Sequence, residues 1–66
     1  MEMKDIGKRI RRKRIEKGWC QEELAEKVDL SASYIGMIER GKKVPRLETF
    51  VEIANVLEAV SYTHLR

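Results

Sequence analysis

With one cysteine, Cys20, and one histidine, His64, this chain can close no internal disulfide and can assemble no finger-type zinc site. At 66 residues it is one domain whose hydrophobic core is marginal. Close packing of helices, with help from a partner subunit, is the remaining source of stability. Hydrophobic residues at 42% and charged residues at 38% suit a globular helical domain better than a disordered tail. The chain is charged from Glu2 onward, and no apolar run approaches the roughly 20 residues a bilayer requires. A cytoplasmic protein without membrane contact is therefore expected, with a reduced thiol.

Breaks at Gly18, around Asp29–Ser31 and across Gly41–Pro45 divide the chain into four helical stretches, and the fold expected is all-α. In the first, about Lys4 to Lys17, Ile6 and Ile10 share a face while Lys8, Arg9, Arg11, Arg12 and Lys13 spread around the others. Gly18 suits a left-handed helix end, and Trp19 is expected to pack into the core. The second runs from Gln21 to about Val28, with Leu24, Ala25 and Val28 inward and Glu22, Glu23 and Glu26 complementing the positive end of the helix dipole. Cys20 stands at its cap with Glu23 three positions on, the spacing of a capping box with a poor cap residue. Ser31 caps the third stretch, which runs to about Arg40. There Ile35, Ile38 and Glu39 fall on one side and Ser33, Gly36, Met37 and Arg40 on the other. The fourth, about Arg46 to Glu58, carries Leu47, Phe50, Val51, Ile53, Ala54 and Leu57 in a broad stripe. Alternating β-branched runs and tight hairpin dipeptides are missing, so a strand reading fits poorly.

The net charge of +3 is unevenly distributed. Residues 1–20 sum to +5, residues 21–30 to −3, residues 31–46 to +3 and residues 47–66 to −2. Two basic blocks thus flank an acidic one. On charge alone they are either an anion-facing patch, if the fold brings them together, or ordinary solvated surface.

Two short helices about three residues apart, the first acidic and the second presenting a small polar face, suggest a helix-turn-helix. The segment QEELAEKVDLSASYIGMIERG at 21–41 closely resembles the phage repressor and Cro-like (XRE-type) helix-turn-helix family. The flanking IGKRIRRKRIEKGW and KKVPRLETFVEIANVLE extend the resemblance over about residues 6–58. The family implies a compact four- to five-helix domain and a sequence-specific, double-stranded DNA-binding transcriptional regulator, a repressor. It implies a homodimer on a two-fold operator, with half-sites about one helical turn apart, near 34 Å. No cofactor and no catalytic residue are implied. An isolated Cys20 and scattered surface acids make no catalytic constellation. The alternative left open is a protein-interaction module such as an antitoxin, using the same fold through its acidic second helix and apolar fourth.

The resemblance also assigns roles. Helix 31–40 is the expected recognition helix, with Ala32, Ser33 and Met37 at base-contacting positions. Gln21, Tyr34, Arg40, Lys42 and Lys43 match phosphate contacts; Arg46, Arg9, Arg12 and Lys13 are weaker candidates. Arg14 and Glu39 match a structural ion pair joining the first helix to the end of the third. Leu24, Val28, Ile35 and Ile38 match core positions, and Ala25 the small residue that lets the two helices approach. Ser33 can bond several bases, whereas Ala32 and Met37 offer apolar contact to a thymine methyl. Modest direct readout supplemented by DNA shape is the expectation.

The chain departs from the family in three places. Asp29 occupies a turn position usually held by glycine, which needs positive φ. Cys20 replaces the common Ser or Thr cap. Residues 59–66 follow the domain of residues 1–58 as a C-terminal tail. That tail resembles a translated sequencing-adapter remnant, in which case it is non-native and the natural protein is longer. It could equally add a short fifth helix, with Ser61 as cap and Leu65 over the core.

Overall fold

A computed structural model describes the backbone of residues 3–64 and the side chains of residues 4–58. The described residues form four helices and no strand: α1 (Met3–Glu16), α2 (Gln21–Lys27), α3 (Ala32–Glu39) and α4 (Leu47–His64). The all-α expectation holds. Because α4 runs unbroken to His64, Ser61 lies within it; Leu65 falls outside the described residues.

One device ends the first three helices. Behind α1 the Trp19 N–H donates to the Arg14 carbonyl (3.1 Å) and the Gly18 N–H to that of Ile15 (2.9 Å), with Gly18 at φ +76°. Behind α3 the Lys42 N–H reaches the Met37 carbonyl (2.8 Å) and Gly41 that of Ile38 (3.0 Å), with Gly41 at φ +77°. The end of α2 repeats the pattern: the Leu30 N–H donates to Ala25 (2.9 Å), that of Asp29 to Glu26 (3.4 Å), and Asp29 itself adopts φ +58°. These are Schellman closures, which satisfy the last carbonyls of a helix through one left-handed residue. An aspartate fills that place at the α2–α3 turn, and it tolerates the conformation better than most side chains do.

The starts differ in quality. Ser31 Oγ accepts from the Tyr34 N–H at 3.1 Å and so caps α3. At α2 the Cys20 N–H donates to Glu23 Oε1 at 2.9 Å, the reciprocal half of a capping box. Sulfur is a weak acceptor for the other half.

The core is a single cluster of Ile10, Leu24, Ala25, Val28, Ile35, Ile38, Ile53 and Leu57, with Leu24, Ile35 and Ile53 fully enclosed. Trp19 is half-buried against it, and Lys27 Nζ stands 4.7 Å above its ring. The apolar stripe of α4 is wider than the core uses. Val51 is exposed, and Leu47, in the first turn, is 75% exposed. Gly7 is buried where α1 crosses the end of α3. A Cβ there would run into the carbonyl oxygen of Ile38 and stand 2.6 Å from that of Glu39. Only a residue without a side chain lets these backbones approach so closely.

Candidate nucleic-acid interface

The geometry of α3 follows from its sequence. Ile35 and Ile38 are spaced three apart and both are buried, which fixes the helix from behind. Ser33 is therefore exposed and Met37 half-exposed on the outer side. Ala32 and Tyr34 are half-buried and lean on the core, Ala32 beside Leu30 and Ala25 at the edge toward α2. The outward set on α3 is thus Ser33 near its start with part of Met37 in its second half. Ala32 offers less open surface than its position in the sequence suggests.

Arg14 and Glu39 meet. Arg14 Nε donates to Glu39 Oε2 at 2.7 Å and Nη2 to Oε1 at 3.0 Å, while Nη1 donates to the Trp19 carbonyl at 2.8 Å. Both residues are buried. The carboxylate holds the Arg14 pKa above its ordinary value, mainly through this hydrogen bonding and against burial, which acts the other way. The pair ties α1 to the last turn of α3, and through the Trp19 carbonyl it also holds the α1–α2 connection.

Gln21 joins the same network. Its Nε2 donates to Glu39 Oε1 at 3.1 Å, so the first side chain of α2 is laid across α3. Arg40 is exposed at the end of α3, and Lys42 and Lys43 are exposed in the loop that follows. None of these three cations has an ion pair among the described residues. They form a basic edge beside the outward side of α3. The weaker candidates come from α1 and from the approach to α4. Arg9 and Arg12 are exposed on α1, and Lys13 reaches Glu58 of α4 at 4.0 Å, an exposed pair of little energetic consequence. Arg46 is exposed just before α4.

Two functional positions are not legible from spacing alone. Gly36 falls on the outer side of α3 yet is buried, because the heads of Gln21 and Arg40 cover it. Gly7 sets how far α1 stands from α3, and its neighbours are remote in sequence.

Sequence comparison agrees with this arrangement. The pattern describing the helix-turn-helix family matches residues 10–65. The chain belongs to the helix-turn-helix family. This helix-turn-helix chain is similar to the transcriptional regulator SinR of Bacillus subtilis (strain 168), with 38% identity over 61 residues. That match takes in 91% of this chain but 55% of SinR, so the chain spans about half the length of that relative. It is similar over more of its counterpart to the uncharacterized transcriptional regulator YazB of the same organism: 40% identity over 57 residues, covering 86% of this chain and 83% of YazB. The immunity repressor of Bacillus phage phi105 is 42% identical over 52 residues, 79% of this chain and 36% of the repressor. No solved structure matches the helix-turn-helix chain. Among its described residues no helix is long and apolar enough to cross a membrane, and no group of three or more His, Cys, Asp and Glu is placed to hold a metal ion.

Proposed function

We propose that this chain binds duplex DNA as a transcriptional repressor, laying the outer side of α3 in the major groove. One observation carries the reading. An eight-residue helix is anchored by buried Ile35 and Ile38, turns Ser33 and Met37 outward, and is followed by three cations, Arg40, Lys42 and Lys43, without ion pairs among the described residues. At about 1.5 Å per residue α3 is about 12 Å long, a rod that the major groove admits. Ser33 and Met37, with Ala32 at the edge, then face the bases. Gln21, Tyr34, Arg40, Lys42 and Lys43 face the phosphates, where cations add affinity without reading sequence. The names of SinR and of the phage immunity repressor support the same assignment.

The reading extends to a homodimer on a two-fold operator, acting in the cytoplasm on the nucleoid. Exposed Leu47 and Val51 of α4 supply apolar surface for such a contact. The contacts proposed are those of a binding protein and involve no catalytic group.

The direct test is a titration of duplex DNA at several salt concentrations. The logarithm of affinity should fall linearly with the logarithm of salt, and Lys42→Ala or Lys43→Ala should each flatten the slope by about 0.9 while weakening all sequences alike. Affinity that ignores salt, or no duplex binding at all, would remove the assignment and favour a protein partner.

A further inference from the structure

Gly36 is the one residue on the outer side of α3 that solvent scarcely reaches, and its cover is polar. Arg40 Nη1 lies 3.1 Å from the point a Cβ would occupy, and Oε1 and Nε2 of Gln21 lie 3.4 and 3.5 Å from that same point. Two side-chain heads from different helices therefore converge on one missing side chain. Helical side chains lean toward the N-terminus, which carries the Arg40 guanidinium back over the turn that contains Gly36. Gln21 is held from behind by Glu39, itself clamped by Arg14. The buried ion pair is thus the root of a polar chain that surfaces beside Arg40.

We propose that Gly36 is a positioning residue: its bare Cα seats the Arg40 guanidinium beside the Gln21 amide, so that the two heads grip one backbone phosphate of duplex DNA as a unit. This rests on the DNA-binding reading above. A guanidinium presents paired N–H donors that match phosphate oxygens, and the second N–H of the Gln21 amide supplies another. Seating the arginine beforehand reduces the side-chain freedom lost when the phosphate arrives. A side chain at position 36 would fill the seat and push the guanidinium outward, separating the two heads.

The test uses the whole chain and a fluorescent, mixed-sequence duplex of about 20 base pairs, because phosphate contacts do not depend on sequence. Affinity is read by anisotropy across a salt series, and folding by circular dichroism. Arg40→Ala should flatten the salt slope by about 0.9. Gly36→Leu should weaken binding at least about twofold, a loss that disappears when Arg40 is already alanine. Gly36→Ala should weaken binding in the same direction while raising the melting temperature, since alanine is the better helix former. Gln21→Ala and Arg40→Ala combined should lose less than the product of their separate losses.

A folded Gly36→Leu protein that binds as wild type does, or that loses the same factor with and without Arg40, overturns the proposal. If Gly36→Leu fails to fold, Gly36→Ala and the Gln21–Arg40 pair decide in the same terms. Wild-type protein that binds no duplex would sink the DNA-binding reading and this proposal together. Salt-dependent wild-type binding with independent losses would sink this proposal alone.

Discussion

At position 29 a non-glycine residue holds φ +58°, in a turn whose two neighbouring counterparts, Gly18 and Gly41, are glycines. The left-handed conformation costs most residues roughly 1–2 kcal/mol, and an aspartate less, so the α2–α3 turn survives with modest strain. Cys20 is a second local compromise. Its backbone already donates to Glu23, but its sulfur is a poor acceptor for the first N–H groups of α2. Cys20→Ser should strengthen the box and stabilise the domain by about 1 kcal/mol, a rise of about 4–8 °C in melting temperature for a domain of this size. A lower melting temperature would refute this account of the cap. Arg14 is a residue whose loss the fold absorbs poorly. Replacing it with methionine strands a Glu39 carboxylate that is almost wholly buried and frees the Trp19 carbonyl. The expected cost is about 3–5 kcal/mol, a large part of what a domain of this size possesses. Urea denaturation should show the midpoint falling sharply, and an unmoved midpoint would mean that the pair is incidental.

Between elements, the decisive position is Gly7. Helix propensity alone predicts that alanine there stabilises α1 by roughly 0.5–1 kcal/mol. The crossing predicts the reverse, because the added methyl would meet the backbone carbonyls of Ile38 and Glu39, which no side-chain rotation can move aside. The overpacking should prevail, with Gly7→Ala destabilising by about 1–3 kcal/mol in a thermal melt; a stabilised variant would show the approach to be looser than described. This position also marks what the sequence could and could not convey. Helix ends are legible because Gly18, Ser31 and Gly41 signal them locally, and the inner faces because Leu24, Ala25 and Val28, or Ile35 and Ile38, recur with helical spacing. The close approach at Gly7 and the polar cover on Gly36 depend on residues from other helices, which no local pattern encodes. For the same reason spacing overstates α4, where Leu47 and Val51 share the apolar stripe but stay largely exposed outside the core. The outward direction of Ser33 was legible, since it follows from the buried isoleucines of its own helix.

For the whole molecule, the question is whether the uneven charge along the chain becomes a surface. The acids Glu22, Glu23 and Glu26 are exposed on α2, while Arg40, Lys42 and Lys43 line the exit of α3 without ion pairs among the described residues. A cationic edge of that kind supplies sequence-independent affinity, which leaves discrimination to the few groups α3 turns outward. The central claim is that those groups, Ser33 above all with Met37, read bases. Selection of bound sites from a pool of random duplexes tests it most directly, run side by side for wild type and for Ser33→Ala and Met37→Ala. The account predicts that wild type enriches a two-fold-related motif and that the two variants shift its preferred bases. Enrichment of no motif by wild type, or of one identical motif by all three proteins, would contradict it.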